Sequence, residues 1–225
     1  MNDNIVLIGF MGSGKTTFGK WISRKYGYSF CDTDEYIEKK EKTTINDIFA
    51  SKGEAAFRDM ETETVKEFAD SLKKCVVSVG GGLPVRKENR EILKNIGTVV
   101  YLKASEEELC KRLSRDNTRP LLKGGNLKEK IHTLMQQRED IYMDAADVVI
   151  NTENVSFGHM YEEIMSQKKY LILIIGGDNP HTKAQPLVNQ FKLIFEFMNI
   201  TNYRFLIGEG NKPFDILNDS QFIEE

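Results

Sequence analysis

Residues 9–16 read Gly-Phe-Met-Gly-Ser-Gly-Lys-Thr, the spacing G-x-x-x-x-G-K-[ST]. Each residue type in it has a chemical use. Gly9, Gly12 and Gly14 permit backbone conformations that a Cβ would forbid, so several N–H groups can converge on one anion. Lys15 places a compact positive charge beside β- and γ-phosphates, and the Thr16 hydroxyl can ligate Mg²⁺. A short apolar strand (residues 4–8) precedes the run, and a helical stretch (17–26) follows it. This strand–loop–helix context separates a phosphate-binding loop from a glycine-rich turn with a stray lysine. The helix adds the positive end of its dipole. Gly12, Ser13, Gly14, Lys15, Thr16 and Thr17 are therefore the expected contacts of a nucleoside triphosphate. What receives the phosphate is a separate question.

Other chemistry-bearing residues are more scattered. Asp32-Thr33-Asp34 closes a second strand-like run, and carboxylates at i and i+2 on a strand end point to one side. Asp34 can accept or orient a hydroxyl proton, while Asp32 can serve a metal through water, since Mg²⁺ gives up its waters reluctantly. Asp32-x-x-Glu35 also fits a capping box for a helix beginning at Glu35, which gives one carboxylate a purely structural alternative. Arg58 in Phe-Arg-Asp-x-Glu (57–61) and Arg138 in Gln-Gln-Arg-Glu-Asp-Ile-Tyr (136–142) each read alone as solvated surface arginines. As a pair they can clamp a carboxylate with planar, always-charged forks. Gly80, Gly81 and Gly82 end a buried strand that carries no acidic residue, and they allow close backbone approach to a ligand. Arg119-Pro-Leu-Leu lies in a polar stretch (114–125) with two glycines behind it. That pattern suits a lid bringing a cation to a transferring phosphoryl group.

These residues need a scaffold, and the apolar runs supply one. Strand-like segments at 4–8, 29–31, 75–79, 98–102 and 147–150 alternate with helical stretches, and their β-branched continuity implies strands covered on both faces. Thr44-x-x-Asp47, Ser51-x-x-Glu54 and Ser105-x-x-Glu108 read as capping boxes. Beyond residues 167–169 the composition shifts. A strand (170–175), a Gly-Gly-Asp-Asn-Pro turn, an amphipathic helix (186–198) and a strand (203–207) form an appended β-α-β unit with a polar tail. A net charge of −3 disfavours a nucleic-acid surface. The apolar run at 170–175 is too short to span a bilayer, and no signal peptide is expected because the first strand leads straight into the loop. Cys31, Cys75 and Cys110 are odd in number and fit neither a zinc nor a redox spacing. They read as small hydrophobes in a reducing, cytoplasmic setting.

Taken in order, the loop at 9–16, Asp32-Thr33-Asp34-x-x-Ile-Glu, Phe57-Arg58-x-x-Glu61, Gly80-Gly81-Gly82, Arg119-Pro-Leu-Leu and Arg138-x-x-x-Tyr142 resemble shikimate kinase over about residues 1–165. The resemblance implies a three-layer α/β/α P-loop kinase with a central five-stranded parallel sheet (residues 1–168), to which 169–225 add a small C-terminal β-α-β extension. It implies ATP and Mg²⁺, and transfer of the γ-phosphoryl group to the 3-hydroxyl of shikimate. Asp34 then corresponds to the residue holding the reacting hydroxyl and is the candidate base. Lys15 and Arg119 correspond to the cations on the moving phosphoryl. Arg58, Arg138 and the backbone of Gly80, Gly81 and Gly82 correspond to the acceptor-binding groups. Thr16 and Asp32 correspond to the metal site, and Arg112 to the residue stacked on adenine, with Arg115 as its competitor. The family is expected to be monomeric in its kinase domain, with the extension a candidate for self-association. That extension faintly resembles the C-terminal part of flavodoxin-like flavin reductases, but it lacks their phosphate loop, so no flavin is expected. The rival readings are another small-molecule kinase, for gluconate or a nucleotide, and a non-catalytic nucleotide-sensing module.

Overall fold

The computed structural model describes residues 3–114, 126–167, 171–176, 186, 189–191, 193–194, 203–208 and 223–224. Five strands, β1 (Ile5–Ile8), β2 (Ser29–Asp32), β3 (Cys75–Ser78), β4 (Thr98–Lys103) and β5 (Val148–Asn151), form one parallel sheet in the order β2-β3-β1-β4-β5. Register is set with β1 at the centre, where Val6 pairs with Val77 on one side and Val99 on the other.

Because side chains alternate across a strand, successive residues feed opposite cores. Val6, Ile8, Val77, Val99 and Tyr101 pack on one face, and Ile5, Leu7, Val76, Val100 and Leu102 on the other. The second face is covered by α1 (Lys15–Tyr26) and α7 (Phe157–Gln167) through Phe18, Ile22, Met160 and Ile164. The first is covered by α3 (Ile45–Ser71), α4 (Lys87–Ile96), α5 (Glu106–Leu113) and α6 (Leu127–Ala145). The expected three-layer arrangement around five parallel strands is therefore present. A smaller cluster, Ile37, Ile48 and Phe57, ties α2 (Thr33–Glu41) to α3.

Local chemistry explains most helix ends, with two corrections. Thr44 and Ser105 accept from the amides of Asp47 and Glu108 as capping residues should. Ser51 does not cap a helix. It lies inside α3 and donates to the Asp47 carbonyl at 2.6 Å; the break in that helix comes at Gly53, with φ 81° and ψ 171°. The second correction is that α2 begins at Thr33, two residues earlier than expected. The left-handed φ of 95° at Gly14 turns the phosphate loop into α1.

Residues 165–225 form a separate compact unit. In it β6 (Leu171–Gly176) pairs in parallel with β7 (Tyr203–Gly208), from Leu171↔Tyr203 to Gly176↔Gly208, and the described positions between 186 and 194 are helical. The polar tail adds something not expected: β8 (Ile223–Glu224) pairs antiparallel with β7. Among the described residues no helix is long and apolar enough to cross a membrane.

Candidate active site

In a parallel sheet, ligands bind beyond the carboxyl ends of the strands where the strand order reverses. Here that point lies beside β1, between β3 and β4, and the phosphate loop leaves β1 there. A cleft of about 590 Å³ opens over the loop, lined among others by Gly12, Ser13, Gly14, Lys15, Thr16 and Thr17. Lys15 Nζ donates to the carbonyls of Gly9 (2.9 Å) and Phe10 (3.0 Å), which holds its charge at the loop. Among the described residues the buried Ser13 hydroxyl has no hydrogen-bond partner, which suits a loop that binds a ligand. That orphan, the buried lysine and the helix N-terminus together fit a triphosphate.

Asp32 does two things at once. Its Oδ1 accepts from the amides of Asp34 (3.1 Å) and Glu35 (3.4 Å), capping α2, while Oδ2 accepts from the Thr16 hydroxyl at 3.0 Å. One oxygen therefore caps α2, and the other is turned to the Thr16 hydroxyl. Asp34 stands in the first turn of α2 rather than on a strand end. The turn still brings it beside Asp32 on the same cleft. One hydroxyl and one carboxylate suit Mg²⁺, which keeps several waters and leans on phosphate oxygens. Among the described residues no group of three or more His, Cys, Asp or Glu forms a metal cage of its own. Arg112 also borders the cleft, held by Glu108 at 2.9 Å and within 3.3 Å of the Gly12 carbonyl. Arg115 and Arg119 lie outside the described residues.

A second cleft of about 450 Å³ adjoins the first, and Met11, Asp34, Glu35, Gly80 and Gly81 line both. Arg58, Arg138, Glu61 and Gly82 complete its polar wall, with Phe49 and Phe57 on the apolar side. Four separate elements thereby bring Asp34, Arg58, Arg138 and the three glycines together. Arg58 donates to Glu61 (2.7 Å) and Glu54 (2.8 Å). Arg138 is buried and reaches the Gly81 carbonyl at 3.4 Å. The glycines are needed for space. A Cβ on Gly80 would stand 2.7 Å from Asp34 Oδ1 and 2.9 Å from Glu61 Oε1, and one on Gly82 would meet the Arg58 guanidinium. Gly80 brings close approach rather than open hydrogen-bonding groups. Its N–H already donates to Thr33 Oγ1 (2.9 Å), and its carbonyl accepts from Leu83 (3.0 Å).

Glu61 is the site residue that the sequence reading named only as part of a motif. It is 1% exposed. Burial pushes its carboxyl up to about 7, opposed by Arg58 and Arg138 and reinforced by the charge of Asp34. Burial disfavours the Arg58 cation, yet the pairing with Glu61 and Glu54 holds its pKa above the ordinary value. Thr152, Phe157 and Met160 in the nucleotide cleft were also missed, because no motif marks them. Cys31, read as a small hydrophobe, is only partly buried on the edge strand β2, while Cys75 is buried.

Comparison with known proteins agrees with this geometry. Residues 11–169 match the family model for shikimate kinase. The chain is 42% identical over 170 residues to shikimate kinase of Dictyoglomus turgidum, an alignment spanning 74% of this chain and 98% of that protein. It is 43% identical over 164 residues to shikimate kinase of Persephonella marina, covering 73% and 98%. Among solved structures, shikimate kinase from Acinetobacter baumannii in complex with shikimate superposes with a TM-score of 0.69 at 37% identity, covering 74% of this chain and 92% of that one. Shikimate kinase from Aquifex aeolicus gives 0.63 at 36% identity, covering 73% and 95%.

Proposed function

Because the chain belongs to the shikimate kinase family, we propose that it transfers the γ-phosphoryl group of ATP, with Mg²⁺, to the 3-hydroxyl of shikimate. The products are shikimate 3-phosphate and ADP, in aromatic amino-acid (chorismate) biosynthesis. The observation that carries the reading is the shared wall: Asp34 and Gly80–Gly81 border both the phosphate-binding cleft and the cleft lined by arginines. Phosphoryl transfer asks little covalent chemistry of a protein. It asks for an aligned hydroxyl and for cations around the equatorial oxygens.

MgATP supplies the electrophilic phosphorus when bound. Asp34 orients the acceptor hydroxyl and takes its proton. Lys15 and Arg119 neutralise charge on the phosphoryl oxygens, while Thr16 and Asp32 serve the metal. Arg58 and Arg138 face the carboxylate of shikimate, with Gly80, Gly81 and Gly82 forming the floor. Arg112 flanks adenine. A gluconate or nucleotide kinase would not need the combination of Asp32-Thr33-Asp34 with Gly80-Gly81-Gly82, and a sensing module would not need Asp34 at the junction.

Residues 1–168 are assigned as the catalytic domain, monomeric and cytoplasmic; three free thiols in no metal or redox spacing support the compartment. Residues 169–225 are a C-terminal extension, a candidate for self-association, and the truncation below asks whether it is dispensable for chemistry. The test is Mg²⁺-dependent ADP release with shikimate, gluconate and nucleoside monophosphates as acceptors, on the full chain and on one ending at Ser166. Shikimate alone should support turnover, at equal rates in both. Turnover only with another acceptor would refute the assignment.

A further inference from the structure

Tyr142 stands one helical turn after Arg138 on α6, so both side chains rise from one face. They reach the same atom. The Tyr142 hydroxyl donates to the Gly81 carbonyl at 2.5 Å, and Arg138 Nη1 donates to it at 3.4 Å. The two donors differ in surroundings. Tyr142 is fully buried, its ring tilted against Tyr101 at 5.2 Å between centroids, and it lines neither cleft. Arg138 opens onto the acceptor cleft. Burial also pushes the Tyr142 phenol up, which keeps it a donor. Gly81 also lies close to the phosphate loop: a Cβ on it would stand 3.4 Å from both Gly9 O and Met11 N. The strap of glycines thus lies beside the loop and is bonded to α6.

We propose that Tyr142 is a positioning residue for the acceptor: its hydroxyl keeps the Gly81 carbonyl satisfied when Arg138 leaves that carbonyl for the substrate's carboxylate. This rests on the function proposed above. A partly buried carbonyl stripped of its donors carries a desolvation penalty. With Tyr142 in place the long Arg138 contact is dispensable. Without the hydroxyl, Arg138 becomes the sole side-chain donor to Gly81, and binding the acceptor has to break that contact. The penalty then falls on acceptor binding and not on the nucleotide.

The experiment is steady-state kinetics of the full chain, with shikimate and ATP varied independently, for wild type, Tyr142→Phe, Arg138→Ala and the double variant. The Phe ring preserves packing on Tyr101, so Tyr142→Phe isolates the hydroxyl. Its shikimate KM should rise about tenfold, with ATP KM and kcat within about twofold of wild type. In the Arg138→Ala background the same change should leave shikimate KM within about twofold, since no arginine remains to be released. Three results would overturn the inference: an unchanged shikimate KM in Tyr142→Phe, a parallel rise of both KM values, or the full effect recurring without Arg138. A wild-type chain inactive on shikimate would overturn the functional reading itself. An active wild type with any of those three results overturns only the role of Tyr142.

Discussion

The nucleotide cleft takes much of its lining from one contiguous run, residues 11–18, whereas the acceptor cleft draws on positions as far apart as Met11, Arg58, Gly82 and Arg138. The first recognises phosphate mainly with backbone N–H groups at a helix start, a device built by a single stretch of chain. The second, under the proposed function, would meet a carboxylate and hydroxyls with charged side chains, each delivered by a different element and held by its neighbours. A backbone device tolerates changes elsewhere in the molecule. A side-chain device depends on partners such as Glu61, which do not themselves have to touch the substrate.

This contrast can be broken or sharpened by substitution. The largest effect is expected at Lys15, the one charge of the loop itself. Lys15→Ala should lower kcat by about 10²–10³ or more, while shikimate affinity measured by calorimetry stays near wild type. Wild-type-like turnover would contradict the phosphate-loop assignment. Gly80→Ala tests the wall the two clefts share. Its Cβ would sit 2.7 Å from Asp34 Oδ1 and 2.9 Å from Glu61 Oε1, so both carboxylates have to move. We expect kcat to fall by about 10²-fold with ATP affinity retained, since a misplacement of about 1 Å is that costly. Retained kcat would show that the position of Asp34 is not critical.

Arg58→Ala confines the damage to the acceptor side. The lost charge-assisted contact, worth about 1.5–3 kcal/mol, should raise shikimate KM roughly 10- to 100-fold and leave ATP KM unchanged. An unaltered shikimate KM would remove Arg58 from the site. The smallest effect belongs to Glu61 and is read in stability. Burial pushes its carboxyl up to about 7, from an ordinary value of 4.5. In that window the native state holds a proton that the unfolded state has lost. The contribution of Glu61 is therefore fully present below about pH 4.5 and is lost as pH rises through about 7. Unfolding free energies of wild type and Glu61→Gln from urea titrations, compared from pH 5 to 8, should diverge by about 2 kcal/mol, with wild type losing stability relative to the variant. A constant difference would mean that Glu61 is ionised throughout.

Much of the scaffold was legible because its signals are local. Apolar runs marked all five strands of the main sheet, β-branched in every one but β2, and the glycine–lysine spacing marked the loop. The corrections arise where one residue serves two neighbours. Asp32 looked like either a cap or a metal group, and only the folded chain shows that Oδ1 caps α2 while Oδ2 is left to the Thr16 hydroxyl. Ser51 has the pattern of a cap but lies within α3, where its hydroxyl turns back to Asp47. Thr33 and Tyr142 were merely parts of motifs. Their hydroxyls turn out to hold the Gly80 amide and the Gly81 carbonyl, contacts spanning 47 and 61 positions along the chain.

The sequence alone determined that this chain builds a phosphate cradle on a parallel sheet, since a glycine-rich turn between strand and helix depends only on neighbouring residues. Which carboxylates and guanidiniums would share a pocket was decided by the tertiary structure. Only the packing of α2, α3 and α6 around the glycine strap places Asp34, Glu61, Arg58 and Arg138 within reach of one another, and only burial in that company gives Glu61 its shifted ionisation.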